Sequence, residues 1–236
     1  SDGKIIVGGS FTYFNGSVAT KLLRLNEDGS RDVSFGPGGV GPDDKIRTIA
    51  LQTDGKIMIG GDFTFYNGIS KSRIARLNAT GTPDSSFDPG TGFDNTVQKI
   101  QIQSDGKIIA TGLFTSYNGT ARNRIVRILS NGQIDPTFDP GVGADGAIYG
   151  SALMTDGRML ISGAFSNYAG AAADKLLRLN SDGTRDVTFS PGAWNFGSTL
   201  TTLTLQSDGK ILVGGSFVRT ESGGDIYRFI RLLPGP

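Results

Sequence analysis

The residues of this 236-residue chain whose types and spacing could do chemistry recur in register. Arg24, Arg76, Arg127, Arg178 and Arg231 each lie inside an apolar stretch, as Arg24 does between Leu23 and Leu25. Asp32, Asp84, Asp135 and Asp186 stand eight residues beyond the first four, each opening an Asp-x-x-Phe motif. A repeated arginine among apolar neighbours could anchor an anionic ligand. An unpaired buried guanidinium would be very costly, however. The eight-residue step crosses a glycine turn and puts the aspartate where a hairpin partner falls. The spacing therefore predicts a structural, charge-assisted Arg–Asp pair inside each unit.

A second set lies in loops. Tyr13 and Phe14, Phe65 and Tyr66, Tyr117, and Tyr168 precede a turn that carries Asn15, Asn67 and Asn118 beside glycine. Aromatic faces next to amides suit sugar rings, which present C–H surface to the ring and hydroxyls to the amide. Tyr13, Asn15, Tyr66, Asn67, Tyr117 and Asn118 are accordingly candidate ligand contacts. The competing reading is that the aromatics plug the space between neighbouring units, and faithful repetition favours it. Trp194, the only tryptophan, lies in a divergent loop and is a candidate contact anchor if exposed.

Other repeated groups are read as structural. The Asp-Gly-Lys/Arg turns at Asp2, Asp54, Asp105, Asp156 and Asp208 need glycine for positive φ and an aspartate to accept backbone amides, with the lysine as a solvated tip. Acids between units, such as Asp43, Asp44, Asp88, Asp94, Asp139 and Asp145, number two per loop, too few for a calcium site of six to eight oxygens.

Composition narrows the chemistry further. The chain has no cysteine and no histidine, which removes disulfides, thiolate nucleophiles and the commonest general base and metal ligand. No cofactor or metal site is expected. With 23 Lys+Arg against 22 Asp+Glu there is no basic footprint for nucleic acid. No apolar run reaches the ~20 residues that span a bilayer, so membrane insertion is not expected. The sequence opens directly within a repeat, which reads as a fragment of a longer parent chain with flanking domains.

The elements that position these residues follow from the period. The Asp-Gly-Lys/Arg turns are spaced 51 or 52 residues apart. Each is followed by an apolar run, a small-residue pair and a phenylalanine: Phe11, Phe63, Phe114, Phe165 and Phe217. Asp-Gly between apolar runs is a strong hairpin cue, and the 36 glycines fit many tight turns. Four short strands per unit are expected, with no amphipathic helix. A sheet this small cannot bury both faces, so the units must stack. The reading is an all-β, five-bladed β-propeller of ~51-residue repeats in one domain. Its units run approximately 1–46, 47–97, 98–148, 149–200 and 201–236, the first and last incomplete.

The motifs Gln52-Thr53-Asp54-Gly55-Lys56, Arg76-Leu77-Asn78 and Asp-x-x-Phe together resemble the delta-60 repeat, a bacterial β-propeller repeat, along essentially the whole chain. The resemblance implies a module of large secreted or surface proteins and brings no catalytic residues with it. The fourth unit departs with Ala169 in place of asparagine, and the fifth departs across 218–224.

The functional expectation is a non-catalytic binding or scaffold module of a secreted or cell-surface bacterial protein, with adhesion among its roles and a protein or glycan as partner. Alternatives are a multivalent lectin using the aromatic-Asn-Gly loops, a carboxylate glycosidase, which would need acids converging ~5–10 Å apart, and a pure spacer.

Overall fold

A computed structural model describes residues 3–36, 40–190, 196, 198–221 and 224–233, with side chains left out at 218–227. The described chain is all β, without a helix. It forms the five-bladed propeller that the repeat predicts.

Each unit is built on an antiparallel sheet. Its first strand is Ile46–Leu51, Val97–Ile102, Ile148–Leu153 or Leu200–Leu205 in units two to five. The Asp-Gly turn leads into the second strand, Ile57–Gly61, Ile108–Gly112, Met159–Gly163 or Ile211–Glu221. The third strand is Ile74–Leu77, Ile125–Ile128, Leu176–Leu179 or Gly224–Leu232. The second strand lies between the other two in every sheet. Unit one shows the second and third strands, Ile5–Gly8 and Leu22–Leu25, paired with each other.

The expected fourth strand shrinks to one bridge in each of units one to four, such as Leu77 with Pro83 and Ile128 with Ile134. The Asp side chain takes over from there. It accepts the amide two residues on, as Asp84 does from Ser86, and bends the chain out of the sheet. The aromatic loop is a miniature hairpin. Two-residue strands such as Ser116–Tyr117 and Thr120–Ala121 pair across Asn118-Gly119, whose φ values of 46° and 72° suit a turn with two left-handed residues.

The core sits between blades. One cluster joins Met58, Ile74, Phe93 and Val97 of the second unit to Ile100, Phe114 and Val126 of the third. Others join units one and two, three and four, and four and five in the same way. First strands of consecutive units also touch one another. Blades approach closely at Gly183, where a Cβ would lie 2.9 Å from the Phe138 ring of the preceding unit. That glycine has φ +92°, so its place in the turn needs both its conformation and its size.

Candidate functional site

The repeated arginines form four matching clamps. Nε of Arg24, Arg76, Arg127 and Arg178 lies 2.7 Å from the carboxylate of Asp32, Asp84, Asp135 and Asp186 respectively. The same guanidinium stacks over Phe35, Phe87, Phe138 or Phe189, the phenylalanine of the Asp-x-x-Phe motif, at 4.9–5.2 Å. The other carboxylate oxygen accepts an amide and a hydroxyl from Ser34, Ser86, Thr137 or Thr188. Nη1 of three arginines reaches the next blade, donating to the turn carbonyls of Ala79, Ser130 and Ser181.

One sequence expectation is corrected here. The lysine of the Asp-Gly-Lys turn is no solvated tip. Lys4, Lys56 and Lys107 reach Asp32, Asp84 and Asp135 at 2.7, 3.0 and 3.4 Å, and Arg158 reaches Asp186 at 3.2 Å. The second and third strands pair so that the turn beginning one lies beside the acid following the other. Each aspartate thus gathers two cations. Burial pushes the Asp84 and Asp135 carboxyls up, but their hydroxyl, amide and cationic donors outweigh it and hold both well below the usual range.

Arg231 is the exception among the five. It lies opposite Leu212 in the same register that sets Arg76 opposite Met58. It is exposed, however, and has no hydrogen-bond or salt-bridge partner among the described residues. The fifth unit carries no Asp-x-x-Phe, and Lys210 has swung wholly to Asp208 at 2.5 Å. The structural role expected of Arg231 is therefore not filled within these residues.

The candidate ligand loops are mostly inward. Tyr66 and Tyr117 are fully buried, as is Tyr168, and their hydroxyls donate to the carbonyls of Gly81, Gly132 and Gly183. Burial pushes all three phenols up. Tyr66 and Tyr117 are thus plugs under the hairpins rather than ligand faces. Phe14 takes that position in unit one, which leaves Tyr13 outside, 66 % exposed, with Phe65 of unit two 47 % exposed.

The asparagines are turn residues, Asn15, Asn67 and Asn118 all having positive φ. Asn67 Oδ1 accepts from the Gly41 amide at 2.7 Å, and Asn118 Oδ1 from the Thr91 amide at 3.1 Å, tying the inter-unit loop to the hairpin. Ala169 keeps only the backbone part of that tie, through its amide to Gly143. Trp194 lies outside the described residues.

The inter-unit acids also serve the fold. Asp43 accepts from the Thr64 and Phe65 amides, Asp94 from those of Thr115 and Ser116, and Asp145 from those of Ser166 and Asn167. No group of three or more metal-ligating acids forms among the described residues.

One cluster that does not repeat escaped the sequence reading. Arg47 grips Asp62 with two bonds of 2.8 Å, Lys45 stands 3.6 Å away, and the Thr96 hydroxyl, just before strand Val97–Ile102, donates to Asp62 at 2.7 Å. The corresponding positions in the other units are Ser10, Leu113, Ala164 and Ser216, so a lone acid in a repeat column was the available signal. Burial raises the Asp62 carboxyl, but Arg47 and Thr96 outweigh it and hold it low. The cluster therefore reads as an ion pair rather than a proton donor. A cavity of about 520 Å³ opens on the fourth unit beside Lys175, Arg185 and Phe196. Both of its cations already donate to backbone carbonyls, Lys175 to Phe165 and Arg185 to Ala172.

The profile of the family described as "Domain of unknown function (DUF5122) beta-propeller" matches residues 1–35, 52–87, 103–138, 155–189 and 206–235, more than half of the chain. The chain belongs to this DUF5122 β-propeller family. No curated protein matches it.

Among solved structures, the WD40 β-propeller domain of Doa1 is similar at 14 % identity and TM-score 0.53, over 98 % of this chain and 61 % of that one. The extracellular domain of a putative one-component system from B. thetaiotaomicron is similar at 14 % identity and TM-score 0.54, over 97 % of this chain and 25 % of that one. The chain thus spans less than two thirds of either structure. A virginiamycin B lyase from Staphylococcus aureus is similar more weakly, at 20 % identity and TM-score 0.42, over 79 % of this chain and 54 % of that one. At these identities the likeness to the Doa1 and B. thetaiotaomicron domains is one of fold alone.

Proposed function

We propose that this DUF5122 propeller is a non-catalytic binding or scaffold module of a secreted or cell-surface bacterial protein, adhesion included. The observation that carries the reading is the identical employment of the repeated polar groups. In the first four blades arginine, turn cation and Asp-x-x-Phe aspartate bond to one another in the same way, and the three buried tyrosines and three loop acids likewise repeat their bonds within the fold. Each carboxylate with a resolved shift is pushed down. Glycosidase chemistry wants one acid held protonated near a second, and nothing here supplies that asymmetry.

The surface location draws on the delta-60 resemblance and agrees with the extracellular domain of similar fold in B. thetaiotaomicron. A multivalent glycan site loses support, since the repeated tyrosines face inward and leave Tyr13 and Phe65 as isolated exposed rings.

The purified chain should turn over none of a panel of chromogenic glycosides and esters between pH 4 and 8. It should also leave a glycan array blank, while antibodies to it label intact cells expressing the parent protein. Turnover abolished by one Asp→Asn substitution would overturn the non-catalytic reading.

A further inference from the structure

We infer that the axial mouth of the propeller, at Lys45, Arg47, Gln98 and Tyr149, binds a carboxylate group, carried by an acidic peptide segment or by a free organic acid. This names a ligand class for the binding module proposed above and rests on that reading. At the mouth the backbone repeats while the chemistry does not. The first strands of units two to five break register at one point, between Ile46 and Thr48, Val97 and Lys99, Ile148 and Gly150, and Leu200 and Thr202. The extra residues are Arg47, Gln98, Tyr149 and Thr201. A bulge of this kind takes a residue out of the ladder and re-aims its side chain. The facing glycines, Gly61, Gly112, Gly163 and Gly215, make room for it. A Cβ on any of them would collide with the carbonyl two residues before the bulge. Four blades thus keep one backbone device and mount a cation, an amide, a phenol and a hydroxyl on it. The clamp, by contrast, pairs an arginine with an aspartate in each of the first four blades.

First strands of consecutive units touch, so this column of residues surrounds the axis. Arg47 and Tyr149 bear that out: they sit on blades two apart, yet the phenol acts electrostatically on the guanidinium. Arg47 is held from behind. Asp62 takes its Nε and Nη2, and the Thr96 hydroxyl steadies Asp62, which leaves Nη1 for another acceptor. Lys45 stands beside the same acid. Asp44, which also acts on Arg47, is exposed and accepts the Lys45 amide. The Gln98 amide and the Tyr149 hydroxyl are half-buried and bond to nothing among the described residues. Ammonium, guanidinium, amide and phenol can all donate, and the acid closest to them is already spent on Arg47. Such a set suits an acceptor-rich anion, and a carboxylate offers one oxygen to a cation and the other to a neutral donor.

The test titrates the intact 236-residue chain with two probes, citrate and the peptide acetyl-Gly-Asp-Glu-Asp-Gly-amide, by calorimetry. At least one should bind saturably with a Kd below about 1 mM, and which one does identifies the source of the carboxylate. The uncharged peptide acetyl-Gly-Asn-Gln-Asn-Gly-amide should not bind. Arg47→Gln should weaken binding about tenfold or more, and Tyr149→Phe about threefold or more. Arg47→Gln also costs Asp62 a partner, so its Tm should fall. Tyr149→Phe removes a hydroxyl that has no described partner and should keep the parent's Tm, which separates lost binding from lost folding. Lys71→Gln, which removes a charge just beyond the outer hairpin strand Ile69–Ser70, should bind as the parent does. No saturable binding of either probe would overturn the proposal. So would equal binding of the uncharged peptide, unchanged affinity in Arg47→Gln or Tyr149→Phe, or a loss in Lys71→Gln as large as in Arg47→Gln. Chemical conversion of a bound probe, followed by NMR, would instead overturn the non-catalytic reading and leave the site standing.

Discussion

The third and fifth blades hold the same arginine in the same register and treat it oppositely. Arg127 is 6 % exposed, paired with Asp135, stacked on Phe138 and bonded to the next blade. Arg231 stands in solvent. Strand register therefore positions the guanidinium, while the Asp-x-x-Phe segment buries it. A buried charge here is the product of a neighbouring segment and not of the strand that carries it.

The contrast can be broken most directly by removing each cation. Arg127→Leu leaves Asp135 buried without its main partner and should cost about 3–5 kcal/mol. Arg231→Leu should stay within about 0.5 kcal/mol of the parent, as exposed substitutions usually do. Urea unfolding of the two variants measures the difference, and equal losses would contradict it.

Acid titration probes the other partner. The folded Asp32, Asp84, Asp135 and Asp186 carboxyls are held below their unfolded values. Their contribution is therefore fully present above about pH 4 and drains away as pH falls through the folded pKa. Tm should drop steadily below pH 4. In Asp135→Asn, already weaker at pH 7, the drop should be shallower.

A smaller effect separates the aromatic positions. Tyr117→Phe leaves the buried Gly132 carbonyl without its donor and should cost about 1–3 kcal/mol, while Tyr13→Phe on the exposed position should change little. The smallest effect expected is a gain. Ala169 occupies a left-handed conformation, φ 51°, that asparagine tolerates better. Ala169→Asn should raise stability by about 1 kcal/mol, read as a higher urea midpoint.

Much of the fold was legible because its determinants are local. The Asp-Gly turns form as the sequence suggests, Gly55 and Gly106 each donating back to the preceding glutamine carbonyl. The Arg–Asp distance was legible too, since both ends lie on one hairpin. The turn lysine was misread because its acid lies 28 residues on and meets it only through strand pairing. The ligand loops were misread for a subtler reason. Tyr13-Phe14 and Phe65-Tyr66 alternate in and out, and alternation shows that one ring of each pair is buried without showing which. Asp62 was overlooked because attention to what repeats hides what occurs once.

The bonds from Arg24, Arg76 and Arg127 to carbonyls of the following blade make repeat boundaries poor places to cut. Excising the second, third or fourth blade would strip a wall from the hydrophobic cluster on each side and orphan a guanidinium upstream. Shortened versions of this protein should therefore melt over a broad range or aggregate, however cleanly the sequence divides on paper.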